Sequence, residues 1–486
     1  MMRRVVVLTM VLALAAVAAP AQTISLINQS VSNITGTGAR ALGMGGAFIA
    51  LADDATAASW NPAGLAQLSK SEVSLVYEDY SGSYDWDQVY EAVYTDLAAK
   101  VENFLTLPGD FDNSGLTFAS VTIPFKVGNG NLVAQGSYRR MASFPNFDRS
   151  GPNLWRVTDL STQEIVNEFQ TSLSDADDWS GGFDSYTLSL GFPLGATLRG
   201  GISVNYVDAS IDNVFRRNES FEDIECLTCR RLTGGYEFAD WAVDVGLQWQ
   251  PARPLTIGLV YHAGFKADFD YYESKEFAQY DWEAEQPRPF EPTSSRGTTT
   301  VEWPSGWGAG LAWRATDTLT FTADYSEMSW SDAIVKDYLP AVWDENAQPT
   351  VGEPRDVYFP FAYEQKDSWT ARAGAEFVIV LGNGALLPLR AGYFQERQFA
   401  SLSPYYSQDP ATFDGYSLGT GFAYKNLQFD IAWAHTEGDD QVSESYQFEE
   451  VIIIGGEPRP VQVQATEDNA FDFTSDRFLA SIIIRF

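Results

Sequence analysis

The chain has 486 residues with two cysteines, two histidines and a formal net charge of −34. The acid excess argues against a nucleic-acid partner and against polybasic attachment to a membrane surface, and two cysteines cannot form a disulfide framework for the fold. Two histidines leave little scope for catalytic or metal chemistry, so we expect no catalytic residues, no metal and no cofactor.

The chain begins with an export signal. Arg3 and Arg4 precede an apolar run over residues 5–19, and Pro20 and Ala21 complete a small-residue cleavage sequence. This layout predicts a secretory signal peptide over residues 1–21. A membrane anchor is the alternative, but the run is short and no stop-transfer charges follow it.

Residues 22–70 are rich in glycine and alanine and do not resemble a pair of strands. Small residues allow a backbone to pack closely in a confined space. A large barrel encloses a cavity that its own side chains do not fill. We therefore predict that residues 22–70 form an N-terminal hatch, a plug folded inside a barrel formed by residues 71–486.

Residues 71–486 repeat one unit, in which two alternating runs joined by a very short turn are followed by a long polar segment. The predicted strands are 71–81, 114–126, 131–145, 184–194, 197–211, 237–250, 255–269, 298–315, 318–332, 366–381, 386–399, 414–425, 427–438 and 474–486. Their even number is typical of bacterial single-chain barrels. The sequence therefore predicts an all-β fold, a fourteen-stranded antiparallel transmembrane β-barrel.

The alternation in these runs indicates which face meets lipid. In 427–438, Phe429 and Ile431 share one face, while Gln428 and Asp430 share the other. A period of two with a polar inner face predicts lipid outside and a polar lumen inside. A soluble sandwich alternates as well, with its apolar face packed on a second sheet.

The connections fall into two classes that alternate strictly along the chain. The long ones are predicted as polar loops at 82–113, 146–183, 212–236, 270–297, 333–365, 400–413 and 439–473. Short periplasmic turns and long external loops are typical of outer-membrane barrels. The last strand ends at Phe486, an aromatic carboxy terminus that resembles the assembly signal of such barrels.

One segment carries a family resemblance. Residues 39–65, with Ala-Asp-Asp-Ala at 52–55 and Asn-Pro-Ala-Gly at 61–64, resemble the amino-terminal hatch of FadL/TodX-type outer-membrane transporters. Barrel segments at 246–261, 303–331 and 372–393 are similar to hairpins of that family. The resemblance covers nearly all of the mature chain.

The resemblance implies a monomer in the outer membrane of a Gram-negative cell, in contact with membrane lipid. The acidic loops fit either a cation-bridged contact with surface lipopolysaccharide or a saline habitat. It implies the uptake of hydrophobic small molecules, long-chain fatty acids or hydrocarbons, by passive diffusion past the hatch and sideways through the barrel wall. Carried over residue by residue, it places Asn61, Pro62 and Ala63 at the inner binding site. It links the lateral gate to a distorted third strand, where Gly136 is our candidate for a bend or bulge.

Apolar contacts would favour such a ligand by about 0.8 kcal/mol for each buried CH₂ group. Within the predicted hatch, Phe48, Ile49, Leu51 and Trp60 are the candidate ligand contacts. As packing residues of the plug these four side chains would look the same, so both interpretations stay open.

Cys226 and Cys229 lie in the third long connection, and we predict a local disulfide there. A redox motif would need a βαβ setting, and zinc would need further ligands. The acidic runs 175–178 and 439–440 fit either Ca²⁺ ligands or solvated loops.

Two other classes of function are weighed against uptake. A barrel enzyme needs a nucleophile beside a base, and no serine motif accompanies His262 or His435. A barrel with a hatch also suits a docking or shuttle component of a protein secretion or assembly system, with the acidic loops as its partner surface. A hatch without an apolar pocket would favour this second class.

Overall fold

The computed structural model describes residues 31–32, 36–127, 130–281, 284–332, 335–336, 366–397, 410–454 and 457–486. The predicted signal peptide lies outside these residues. So do most of the predicted hatch before residue 36 and most of the predicted loops 333–365 and 400–413.

Fourteen strands of the described residues pair side by side around a closed ring. They are β1 Glu72–Tyr94, β2 Gly109–Val127, β3 Gly130–Ser143, β4 Glu164–Pro193, β5 Leu198–Phe221, β6 Ile224–Ala252, β7 Leu255–His262, β8 Gly306–Arg314, β9 Leu319–Met328, β10 Ser368–Val380, β11 Leu386–Arg397, β12 Thr412–Tyr424, β13 Leu427–Ile454 and β14 Glu457–Arg485. Each strand pairs antiparallel with the next, and β14 pairs with β1 from Glu72↔Arg485 to Tyr94↔Val463. The predicted all-β antiparallel barrel is confirmed.

Every predicted strand overlaps one strand of the ring, but two of the predictions are too long. The run 255–269 is interrupted at residues 263–264, and the run 298–315 is interrupted at residues 304–305. Further strands of the described residues are additional to these fourteen, and the longer ones are Ala99–Leu107, Asn146–Asp159, Phe265–Asp281, Gln286–Pro289 and Thr293–Trp303.

The predicted long loops at 82–113, 146–183, 212–236, 270–297 and 439–473 are wrong, because these residues are mostly strand. The longest hairpin pairs without interruption from Leu427↔Ile484 to Ile454↔Glu457. These segments are rich in polar residues, which the prediction took as the mark of a loop. Their apolar residues are nevertheless buried in clusters, such as those that contain Tyr94 and Leu107.

The two faces of the ring differ in chemistry. On β13, Phe429 and Ile431 point outward and are 43% and 44% exposed, whereas Asp430 points into the lumen and is 1% exposed. The outer face thus presents an apolar band and the lumen is lined by polar groups. Among the described residues, no helix is both long and apolar enough to span a membrane.

The lumen is occupied by residues 36–68, which we call the hatch. It contains helix α1 Ala39–Leu42, helix α2 Ala57–Trp60 and a 3₁₀ turn Pro62–Gln67. Nearly all of its side chains are buried. It contacts strands on every side of the ring, which closes the lumen near the short turns between strands.

Candidate functional site

The hatch rests on a row of wall glycines, the glycine seat, each within six residues of the strand end at a short turn. A β-carbon on Gly201 would overlap the backbone of Pro62, and one on Gly246 would overlap Oδ1 of Asn61. The members are Gly191, Gly201, Gly246, Gly258, Gly310, Gly374, Gly392 and Gly419. Glycine is required here because the two backbones approach more closely than any side chain permits.

Asn61 fixes the second half of the hatch, residues 55–68. Its side-chain oxygen accepts a hydrogen bond from Ala63 N at 3.1 Å, which caps the 3₁₀ turn. Its amide nitrogen lies 3.1 Å from Ile49 O, 3.2 Å from Leu247 O and 3.3 Å from Leu259 O. One fully buried side chain therefore joins the turn, the first half of the hatch and two wall strands.

Neutral groups of β2, β3 and β6 complete this attachment. Gln135 and Ser120 donate to Ala55 O at 2.8 and 3.3 Å, and Gln67 donates to Gln248 Oε1 at 3.0 Å. The buried carbonyl of Ala55 and the amide of Gln67 thereby gain partners, which removes most of the cost of burying them.

The first half of the hatch, residues 36–54, is held by backbone N–H groups that donate to wall side chains. Ala39 N donates to Ser481 Oγ at 2.7 Å and Gly45 N to Ser417 Oγ at 2.9 Å. Ile49 N donates to a carboxylate oxygen of Asp324 at 2.7 Å.

A buried guanidinium adds a charged attachment to the first half. Arg40 Nε and Nη2 each lie 3.0 Å from an oxygen of Glu376 on β10, and Arg40 Nη1 lies 2.5 Å from Asp53 Oδ1. Glu376 also accepts from Arg390 at 2.7 Å, and Asp53 accepts from Arg314 at 3.1 Å. The result is a bidentate ion pair between hatch and wall, embedded in a larger charged network.

The electrostatics of this network differ between its members. Burial opposes the charge on Arg40, but the carboxylates of Asp53 and Glu376 hold the pKa of Arg40 above its ordinary value. Burial raises the pKa of Asp54, although Arg40 and the hydrogen bonds from Thr56 act in the opposite direction.

The structure brings the predicted apolar contacts of the hatch together. Phe48, Leu51 and Trp60 belong to one buried cluster, and the rings of Phe48 and Trp60 meet edge to face at 6.0 Å. Ile49 is 3% exposed and lies against Gly258. All four therefore pack within the hatch or against the wall, and a role in ligand binding stays a prediction.

Polar groups line the lumen above the second half of the hatch. Arg139 donates to Ser59 O at 3.3 Å. Asp244 is 2.7 Å from His262 Nδ1 and accepts from Asn205 at 2.9 Å. Sequence alternation gives the inward direction of these side chains, but it does not give their partners on neighbouring strands.

Beyond this polar layer lies a buried aromatic cluster that the sequence analysis missed. Phe183 is its hub, with ring centroids 5.7 Å from Phe144, 5.2 Å from Phe238 and 5.8 Å from Trp303. The cluster also contains Met141, Phe269, Met328 and Trp330. Its signal in the sequence is an aromatic residue in the inward phase of several strands, which is unexpected for a purely polar lumen.

An open groove of about 320 Å³ lies on the wall beside β1–β4. Its lining is Val73, Ser74, Leu75, Ala119, Ser120, Val121, Gly136, Ser137, Tyr138 and Tyr186. Among these residues, Leu75, Val121 and Tyr186 are 45%, 51% and 52% exposed, so the groove opens onto the outer apolar face. The predicted gate residue Gly136 is therefore part of a depression in the wall.

The expected bend of β3 is not at Gly136. Gly136 pairs in regular register with Val121 on β2 and Leu188 on β4. The register shift of β3 lies between Arg140 and Ala142. The absence of a side chain at Gly136 shapes the groove without distorting the strand, since the nearest atom to a β-carbon there would be Leu188 Cδ2 at 4.0 Å.

Cys226 and Cys229 form a disulfide, and they lie in strand β6 instead of a loop. In the acidic run 175–178, Asp175 accepts from Arg149 and Arg217 at 3.1 and 2.7 Å. Within the described ranges, no cluster of three or more His, Cys, Asp or Glu residues is arranged to hold a metal ion.

Several solved structures are similar to this chain at low sequence identity. One is a FadL homologue of Pseudomonas aeruginosa, with 14% identity, 91% of this chain and 98% of that chain covered, and a TM-score of 0.47. The monoaromatic hydrocarbon channel CymD has 14% identity, coverages of 94% and 99%, and a TM-score of 0.48. The P. putida toluene transporter TodX has 13% identity, coverages of 93% and 99%, and a TM-score of 0.48.

No protein-family model matches the chain, and no curated protein sequence matches it.

Proposed function

We propose that this protein is an outer-membrane facilitator for the uptake of hydrophobic molecules, long-chain fatty acids or hydrocarbons, by passive diffusion. The observation that carries the proposal is the aromatic cluster around Phe183, a large buried apolar region on the inner side of the barrel, beyond the polar layer. A water-filled channel for polar solutes has no need of such a region.

The apolar outer band supports a membrane location. Outward residues such as Leu259 at 49% and Ile431 at 44% exposure would be costly to leave in water. In a bilayer the same side chains meet hydrocarbon, and the closed ring leaves no unpaired strand edge within it.

The proposed path begins at the aromatic cluster. A hydrophobic molecule gains about 0.8 kcal/mol for each CH₂ group that it transfers from water to apolar surroundings. Below the cluster it meets the polar layer and then the hatch, where the family resemblance places Asn61, Pro62 and Ala63. Because these residues are buried, ligand contact with them requires a displacement of the hatch.

The proposed exit is the groove that contains Gly136. Behind it, Ser120 and Gln135 of β2 and β3 bond to Ala55 O of the hatch. Ser120 therefore both lines the groove and contacts this part of the hatch. A molecule that leaves sideways here enters the bilayer without crossing water.

The test is uptake of labelled oleate and labelled dodecane by cells that carry the gene and by cells that lack it. We expect faster uptake of at least one probe with the gene present, and a loss of that gain with Phe183→Ala or with a bulky residue in the groove, Gly136→Trp. Equal uptake by both cell types would contradict the proposal and leave the docking function as the alternative.

A further inference from the structure

We infer that Arg40 is the positioning residue that keeps the hatch closed, through an ion-pair latch to Glu376 of the wall. The inference rests on the proposed function. It assigns the closed state of the hatch to one contact. Arg40 lies in helix α1 of the hatch, and its partner Glu376 lies on strand β10 of the wall.

The geometry makes Arg40 a junction of three elements. Two of its nitrogens hold Glu376 in a fork at 3.0 Å each. The third nitrogen, Nη1, lies 2.5 Å from Asp53 and 3.6 Å from Asp54. One guanidinium therefore ties helix α1, the turn at residues 53–56 and the wall together.

That turn is the part of the hatch behind the outer groove. Asp54 Oδ1 accepts from Thr56 N at 2.8 Å and from Thr56 Oγ1 at 2.6 Å, which makes the turn a compact unit. Ala55 O, at its centre, accepts from Ser120 and Gln135, and Ser120 also lines the groove. Loss of the Arg40 contacts leaves the turn attached to the wall by the bond from Arg314 to Asp53, at the exposed end of the network, and by these two neutral bonds.

An ion pair suits a contact that must both hold and release. In a dry site the bidentate pair is strong, but each charge is well solvated once water enters, so the opened state is not severely penalised. The glycine seat has no such second state, because its contacts depend on close packing alone. Glu376 also keeps Arg390 when Arg40 leaves, so the wall carboxylate is not left without a cation.

The wall offers a matched control pair. Arg477 on β14 and Glu78 on β1 form a fork of the same kind, at 2.9 and 3.1 Å. Their side chains are 23% and 5% exposed, against 16% and 8% for Arg40 and Glu376. This pair joins two wall strands, so its loss tests the effect of removing a similar buried charge pair away from the latch.

The experiment measures hydrogen exchange of backbone amides over residues 52–60 in the full-length purified protein. We expect exchange about tenfold faster in Arg40→Gln and Glu376→Gln, in which the fork is lost, and unchanged in Arg477→Gln. Arg40→Lys, which keeps the charge without the fork, should lie between the parent and Arg40→Gln. The exchange rate of the double variant should exceed that of either single variant by no more than about twofold, because both substitutions remove the same fork.

Ion conductance in planar bilayers gives a second readout, with openings more frequent in Arg40→Gln than in the parent. Parental exchange in Arg40→Gln and Glu376→Gln would overturn the latch. Equal acceleration in Arg477→Gln would also overturn it, because a general loosening of the barrel would then be the cause. Each variant is first checked for the heat-modifiable gel migration of an assembled barrel, and if Arg40→Gln fails this check, Arg40→Lys and Glu376→Gln decide the question.

Neither readout needs a hydrophobic ligand, so the two hypotheses fail separately. Absent uptake together with the expected exchange pattern would reject the proposed function and keep Arg40 as the latch. Normal uptake together with parental exchange in the variants would reject the latch alone.

Discussion

The two halves of the hatch are attached to the same wall by different chemistry. The first half, residues 36–54, uses a charged fork between Arg40 and Glu376 and a carboxylate acceptor at Asp324. The second half, residues 55–68, uses mostly neutral amides, with Asn61 at its centre. Both halves lie on wall glycines. The difference suggests a fixed half and a releasable half in one small plug.

The distinction follows from what water does to each attachment. Neutral hydrogen bonds contribute about 1 kcal/mol each, and their loss leaves buried groups unpaired. Close packing on glycine holds both halves and does not distinguish them. Charged groups, in contrast, recover much of their solvation when a site becomes wet. The second half should therefore stay docked under conditions that loosen the first.

The largest effect is expected from a side chain added to the seat under the second half. Gly201→Val would overlap the backbone of Pro62, and overpacking of this kind costs about 3 kcal/mol. We expect fast hydrogen exchange over residues 57–68 with the barrel still assembled.

Gly115→Val is the control for that variant, because a β-carbon at Gly115 would have no atom within 4 Å among the described residues. Slow exchange over residues 57–68 in Gly201→Val would mean that the second half of the hatch does not depend on close packing against Gly201.

A smaller effect is expected from Asn61→Ala. The variant removes the cap of the 3₁₀ turn and the donor to three carbonyl oxygens, which should cost about 2 kcal/mol. Exchange should rise over residues 57–68 and much less over residues 39–49. A uniform rise over both halves would mean that they do not open separately.

The barrel could be predicted because lipid imposes one apolar face on every spanning strand. Residues 427–438 show the alternation in sequence, and β13 has the same faces in the structure. The extension of β13 to Ile454 could not be predicted, because its polar and acidic run over residues 436–441 resembles a solvated loop, although its partner strand buries Phe471. The alternation of outward apolar residues ends where the strand would leave the lipid.

In the hatch, too, the sequence predicts less than the structure shows, here at the level of single residues. Its position and its key residue Asn61 follow from the Gly/Ala-rich segment and the resemblance, but Leu247, a partner of Asn61, is 186 residues away. Arg40 and Glu376 are 336 residues apart. Contacts at such distances depend on strand register around the whole ring, which local pattern does not encode.

Ser417→Ala probes the first half by the same exchange measurement. It removes the oxygen that accepts from Gly45 N at 2.9 Å, which should cost about 1 kcal/mol. Exchange should rise near residue 45 and stay at the parental rate over residues 57–68, the reverse of Asn61→Ala. The two variants should therefore affect opposite halves of the hatch. The same change in exchange in both variants would mean that the halves do not differ.

The smallest effect is expected from pH, through Asp54 at the junction of the halves. Burial raises the pKa of Asp54 above its ordinary value of 3.8, while Arg40 and Thr56 lower it. A carboxyl group with a raised pKa in the folded state contributes stability that is present below the ordinary value and is lost as pH rises through the raised value. Exchange over residues 52–60, corrected for its intrinsic pH dependence, should therefore slow as pH falls towards 4. Asp54→Asn should remove that slope. Asp178→Asn, which alters an exposed ion pair between Asp178 on β4 and Arg216 on β5, should leave it unchanged. A slope that persists in Asp54→Asn would assign the pH response to another group and leave the junction insensitive to protonation.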